Sequence, residues 1–195
     1  AHKLDCDVIA VSGGWSPVLN LWSHRQKKPV FDEGAWCFKP DADALPTLTP
    51  VGSAMAAGSL QNTITDGANA GANQAVVPDL TAETPEADHW ARDISPVWRI
   101  TGVDEKTHGK AFVDFQHDVA VSDIELAHRE GYVSVEHLKR YTTTGMATDQ
   151  GKLSNMPALA RMAELQGTSI PEVGTTTFRP PFTPTTVGAL AANDA

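Results

Sequence analysis

Apolar positions along this chain follow three different spacings, and each predicts a different element. The first is continuous: Leu4 to Val11 is a short run rich in β-branched residues that ends at Ser12-Gly13-Gly14, which predicts a buried strand entering a glycine turn. The second repeats every four residues through Ala56, Leu60, Ile64, Ala68 and Ala72, in a stretch from Ser53 to Ala75 made almost wholly of small residues. That spacing predicts a helix whose small-residue face packs very close to a neighbour. Gly58, Gly67 and Gly71 inside it each cost about 1 kcal/mol relative to Ala, and close approach to a sheet or a cofactor is the expected offset.

The third spacing begins near residue 110. Ala111, Phe112, Val113, Asp114 and Phe115 alternate as a short strand within 110–118. Ser122-Asp123-Ile124-Glu125 then reads as a capping box, and Gly131 as the stop of a helix of about ten residues. Ser134 opens a second helix through Val135, Leu138 and Tyr141 to Thr144-Gly145. Asn155 and Pro157 open a third through Leu159, Met162 and Leu165 to Gly167, and Ser169-Ile170-Pro171-Glu172 repeats the capping-box pattern for one more turn.

Proline marks the remainder. Pro17, Pro29, Pro40, Pro46 and Pro50 leave room only for short strands and loops between residues 15 and 50. Residues 78–109 read as a linker docked on a surface by Trp90 and Trp98, its acids from Asp79 to Asp93 forming a solvated face. Pro180, Pro181 and Pro184 keep residues 176–195 extended. The resulting division is 1–77, a linker 78–109, a small helical domain 110–175 and a tail 176–195, an α+β arrangement without internal repeats.

Composition narrows the function. Among 195 residues, 24 acids outnumber 15 Lys and Arg for a formal charge of -9, which argues against a nucleic-acid or membrane-surface binder. Two cysteines, Cys6 and Cys37, are too few for a disulfide scaffold or a thiolate metal site, so a reducing cytoplasm is the expected location. The chain starts at Ala1 without an initiator Met, which suggests a part of something longer. Nucleotide and nucleophile signatures of the GxGxxG, P-loop, HExxH and GxSxG types are absent. The seven His form no i,i+3 or i,i+4 pair on a predicted helix, so no metal is expected.

Two clusters do suggest chemistry. Residues 139–152 combine Lys139, Arg140, Thr142, Thr143, Thr144, Thr148 and Lys152 with two Gly, and residues 174–180 combine Gly174, three Thr and Arg179. Such segments offer amides, hydroxyls and cations to a phosphate or another anion. A Thr-rich helix end with a solvated basic face accounts for the same composition.

These residues also carry a resemblance. Ala111-Phe112-Val113-Asp114-Phe115-Gln116, Val135-Glu136-His137-Leu138-Lys139-Arg140-Tyr141, Gly145-Met146-Ala147-Thr148-Asp149-Gln150-Gly151-Lys152 and Pro171-Glu172-Val173-Gly174-Thr175-Thr176-Thr177-Phe178-Arg179-Pro180-Pro181 resemble the alpha subunit of bacterial heterotetrameric sarcosine oxidase. Asp7 to Pro17 and Thr49 to Ala54 resemble that subunit's dinucleotide-binding region.

The resemblance implies the C-terminal part of a FAD/NAD-type dinucleotide-binding domain, then a small helical domain, with the pyrophosphate turn upstream and a folate-binding domain downstream of these residues. It implies NAD in this subunit, bordered by Gly52, Ser53, Leu60 and Thr63, with Gly52-Ser53 standing where related flavoproteins have Gly-Asp. The helical domain also resembles the bacterioferritin-associated-ferredoxin type. Its cysteine positions fall on Asp114, Gln116, Asp149 and Ser154, so no iron-sulfur cluster held by thiolates is expected. FMN is implied at the interface with a beta subunit, against Lys139, Arg140, Thr142, Thr143, Thr148 and Arg179, with FAD in beta and tetrahydrofolate in the downstream domain.

The activity implied is oxidative demethylation of sarcosine to glycine, with peroxide formed and the one-carbon unit passed to tetrahydrofolate, in an assembly with beta, gamma and delta subunits. In that arrangement this chain supplies cofactor walls and interface, holds no catalytic residue and is inactive alone. The alternatives are a non-catalytic assembly module and an anion-binding module without a redox partner.

Overall fold

The computed structural model describes residues 5–8, 10, 15–56, 59–72, 94–100, 105–179 and 185–191. Trp90, the acids between Asp79 and Asp93, Gly58 and the prolines at 180, 181 and 184 lie outside the described residues.

The N-terminal part holds a short helix, α1 (Asn20–His24), and a two-stranded antiparallel hairpin of β1 (Val30–Asp32) and β2 (Cys37–Lys39), with Phe31 opposite Phe38. Helix α1 sits where the prolines predict only strands and loops; Trp22 anchors it, buried, with its indole N–H donating to the Lys28 carbonyl. Of the predicted strand at 4–11, the described residues 5–8 and 10 are exposed and outside any strand, and residues 4, 9 and 11 lie outside the described residues. A strand needs a ladder partner, and no described strand lies beside it.

A 3₁₀ turn (Gly52–Met55) precedes α2 (Leu60–Ala72). The predicted helix is present, but the predicted close packing is not. No residue of α2 is buried, and a Cβ added at Gly67 or Gly71 would meet nothing within 4 Å. Among the described residues, no neighbour approaches these two glycines; the close approach to α2 is made by Gly52 of the preceding turn, at Thr63.

After α3 (Glu105–His108), β3 (Phe112–Asp114) and β4 (Val119–Ala120) form a second antiparallel hairpin, where the alternation predicts a single strand. It leads directly into α4 (Val121–Arg129), followed by α5 (Val135–Thr142), α6 (Asn155–Gln166) and α7 (Ile170–Val173). The predicted capping box at Ser122 shifts by two residues. Extended Ala120 is the cap, and the Asp123 carboxylate accepts from its backbone N–H at 2.9 Å. Glu125, freed from capping, instead pairs with Arg161 of α6. At α7 the expected box is present, with the Glu172 carboxylate accepting from both the amide and the hydroxyl of Ser169. The tail contains a short helix, α8 (Val187–Ala191), in the stretch expected to be extended.

Two apolar clusters hold the fold. Val113, Val119, Ile124, Ala127, Leu138, Ala158 and Met162 join the second hairpin to α4, α5 and α6. Ile124 and Met162 are fully buried, each contributing about 1.5–3 kcal/mol relative to exposure. The other cluster crosses the chain: Leu19 and Phe38 pack with Val135, Leu159, Ala160, Ala163 and Ile170, flanked by Phe31, Trp36, Trp98 and Phe178. Trp98 meets Trp36 edge-on at 6.3 Å, and Arg99 beside it makes a bidentate pair with Glu164 of α6 at 2.7 and 3.0 Å. The N-terminal hairpin and the end of the linker thus share one core with the helices. Within it, burial pushes the Cys37 thiol up to about 11, with Asp32 adding to the shift against Lys39, so it stays protonated at neutral pH. No helix among the described residues is long and apolar enough to cross a membrane.

Candidate functional site

The two cation-and-hydroxyl clusters, residues 139–152 and 174–180, meet in space. Helix α5 carries Glu136, Lys139 and Arg140 one turn apart, and the segment after α7 lays Thr176, Thr177, Phe178 and Arg179 alongside it. Lys139 is buried, and its Nζ donates to the Thr177 carbonyl at 3.4 Å. Glu136 accepts from the Thr177 backbone N–H at 2.8 Å and pairs with Arg140 at 2.9 Å. The Arg179 backbone N–H donates to Gln150 Oε1 at 3.0 Å, which fixes the end of the segment.

Together with Ser23 and His24 of α1, residues Glu136, Arg140, Thr177, Phe178 and Arg179 line an open groove of about 510 Å³. The electrostatics are those of a crowded cationic site. Burial lowers the Lys139 pKa against the pull of Glu136, and Arg179 and Arg140 lower it further. Burial would raise that of Glu136, but the Thr177 amide, Arg140 and Lys139 hold it below its ordinary value. Glu136 is the member of this group that composition did not single out. Its signal was available, because Glu followed by Arg four residues later is the favourable order for a helix pair.

The threonines go elsewhere. Thr142 Oγ1 donates to the Leu138 carbonyl at 2.8 Å and accepts from the Thr144 hydroxyl, and the Thr143 hydroxyl turns onto the Thr142 carbonyl at the left-handed end of α5. Thr148 donates to Gln116 on the second hairpin at 3.1 Å. None of the three lines the groove.

The loop from residue 143 to 154 nevertheless binds an anion, and that anion is internal. The carboxylate of Asp114, 2 % exposed, accepts from the amide of Gly145 at 2.8 Å, the amides of Gln116 and His117 at 3.0 and 3.2 Å, and the Ser154 hydroxyl at 3.2 Å. His117 Nδ1 lies 3.3 Å away. Burial opposes ionisation, yet these donors keep the Asp114 pKa below its ordinary value. Gly151, with φ +75°, turns the loop against Asn155, whose amide donates to the Gln150 carbonyl. A side chain at residue 151 would collide with Asn155. Of Asp114, Gln116, Asp149 and Ser154, Asp114 accepts from Ser154, and Gln116 accepts from Thr148. Among the described residues no group of three His, Cys, Asp or Glu is arranged to hold a metal ion.

Gly52, Ser53, Leu60 and Thr63 lie where the 3₁₀ turn meets α2. Gly52 is buried with φ +60°, and a Cβ there would come 2.8 Å from Thr63 Cγ2, so this contact requires glycine. The Thr63 hydroxyl donates to the Ser59 carbonyl at 3.0 Å, while Ser53 and Leu60 face solvent. Of these four residues, Ser53 and Leu60 are exposed, Thr63 is half-buried and Gly52 is buried.

Comparison with known proteins places this geometry in a family. The sarcosine oxidase A3 domain matches residues 108–194. The chain is similar to the sarcosine oxidase subunit alpha of Rhizobium meliloti (strain 1021), 44% identical over 191 residues, covering 94% of this chain and 19% of that protein. It is also similar to the subunit alpha of Corynebacterium sp. (strain P-1), 39% identical over 197 residues, covering 97% of this chain and 20% of the relative. A third such subunit, from Corynebacterium sp. (strain U-96), is 39% identical over 203 residues. The chain spans about one fifth of the length of these curated relatives.

Proposed function

This chain belongs to the sarcosine oxidase alpha-subunit family, and from that premise we propose that it forms cofactor-contacting and subunit-contacting surface within an oxidoreductase assembly. The reaction proposed is oxidative demethylation of sarcosine to glycine, with oxygen reduced to peroxide and the one-carbon unit passed to tetrahydrofolate. The observation that carries this reading is that Arg179, distant in the sequence, comes to the same groove as Arg140, with Lys139 buried beside it.

The groove suits the phosphate of FMN at an interface with a beta subunit. Arg140 and Arg179 are exposed at its wall, buried Lys139 adds positive potential behind Thr177, and Phe178 supplies an apolar surface. A flavin, when bound, supplies the redox step. The residues of this chain position its phosphate and do no chemistry. FAD is assigned to beta, and tetrahydrofolate to a further domain of the longer subunit, with gamma and delta completing the assembly in the cytoplasm. NAD is assigned to the edge made by Gly52, Ser53, Leu60 and Thr63. That edge fits one side of a dinucleotide: the Ser53 hydroxyl and the Leu60 side chain are accessible, and the other side of the site comes from elsewhere in the assembly. The Asp114-centred loop is read as a ferredoxin-type scaffold in which a carboxylate and its hydrogen bonds replace a cluster.

The test uses the assembled enzyme. Arg140→Ala and Arg179→Ala should each lower its FMN content, measured as released flavin per complex. Unchanged flavin in both variants overturns the assignment. A second reading, an assembly module only, is favoured by the solvent-exposed aromatic pair Phe112 and Phe115, whose rings lie 6.3 Å apart on the second hairpin. A tight but colourless complex supports it.

A further inference from the structure

The groove beside α5 is not uniformly positive. Lys139, Arg140 and Arg179 bring three cations, and Glu136 places a carboxylate among them, bonded to Arg140 at 2.9 Å and to the Thr177 amide at 2.8 Å. A site made only to attract anions gains nothing from that carboxylate. It acts as a tethered competitor, present at an effective concentration of about millimolar or higher because it is part of the same chain. A dissolved carboxylate or phosphodiester brings one negative charge, the same as Glu136, and has no advantage in displacing it from Arg140. A phosphate monoester brings close to two charges and three acceptor oxygens, so it can engage Arg140 and Arg179 together under the field of Lys139.

We propose that Glu136 is the selectivity element of this groove, holding it closed to carboxylates and phosphodiesters and leaving it open to phosphate monoesters. This rests on the reading of the groove as a phosphate site given above, and it adds the discrimination against other anions and the residue that enforces it. Glu136 is suited to the role by its two anchors. The Thr177 amide keeps one oxygen in place, and the other reaches the exposed guanidinium of Arg140, so the pair opens without moving the backbone.

Calorimetric titration of the full chain at neutral pH with inorganic phosphate and, separately, with acetate tests this. The unsubstituted protein should bind phosphate and not acetate. Glu136→Gln, which keeps an acceptor for the Thr177 amide, should bind phosphate about tenfold tighter and acquire acetate binding. Glu136→Asp, which keeps the charge, should restore the discrimination. An unchanged preference in Glu136→Gln, with phosphate still bound by the unsubstituted chain, overturns the selectivity role and leaves the anion groove standing. Loss of phosphate binding in the unsubstituted chain and in Glu136→Gln alike overturns the groove reading and the proposal with it.

Discussion

Helices α2 and α6 are nearly equal in length, 13 and 12 residues, yet α2 buries none of its residues and α6 buries Ala158, Leu159, Ala160, Met162 and Ala163. Both show apolar residues at helical spacing. The difference is what lies opposite the stripe. Both stripes mix Ala with two larger residues, Leu60 and Ile64 in α2 and Leu159 and Met162 in α6. Leu159 and Met162 fill the space between α4, α5 and the hairpins, whereas the described neighbour of α2 is the 3₁₀ turn before it. Helical spacing therefore predicts a helix, and the elements packed against it decide whether that helix belongs to a core.

The sharpest way to break this contrast is to truncate one side chain on each helix. Met162→Ala should lower unfolding free energy by about 4 kcal/mol, because it opens a cavity where nothing is exposed. Leu60→Ala, at a side chain 52% exposed, should change it by less than about 0.5 kcal/mol. Urea denaturation followed by circular dichroism measures both, and equal losses would show that α2 packs in solution as α6 does.

Next in size is the polar centre of the helical region. Asp114→Ala leaves the buried Gly145 amide and the Gln116 and His117 amides without their acceptor, and should cost about 3 kcal/mol. Acid acts on the same group. The pKa values of Asp114 and Glu136 lie below 3.8 and 4.5 in the folded chain, so their contribution is complete above those values and disappears as pH falls through the folded ones. Thermal melts should thus hold a plateau near neutrality and drop steeply below about pH 4, less steeply in Asp114→Ala.

The smallest effect sharpens the comparison through glycine. Gly67→Ala on α2 adds a Cβ that meets nothing within 4 Å, and should stabilise by about 0.5–1 kcal/mol through helix propensity. Gly151→Ala in the loop before α6 has the opposite sign, about 1 kcal/mol or more destabilising, because φ is +75° and Asn155 occupies the space. Melting temperatures of the two variants should move in opposite directions.

How far the sequence could be read depended on whether a feature was local. Helices α5, α6 and α7 begin and end as Ser134, Gly167 and the Ser169/Glu172 pair predict, because caps act within four residues. The start of α4 differs because its cap position is Ala120, which has no side-chain acceptor; the contact there is the Ala120 backbone N–H donating to the Asp123 carboxylate. At the groove, Lys139, Arg140 and Arg179 could be named from their residue types. The threonines named with them turn to carbonyls and to Gln116, a choice set by backbone direction at the end of α5.

By itself the sequence determined the starts of α5, α6 and α7, the small-residue composition of α2, the acidic balance and the family. Tertiary structure alone decided that Leu19 and Phe38 share a core with Ile170, that an anion-friendly loop is filled by Asp114, and that Glu136 stands among the cations of the groove. The physical reason is range. Capping and propensity are settled by neighbours along the chain, whereas a hydrogen bond between residues 114 and 145, or a groove walled by residues 23 and 179, exists only once distant segments are packed together.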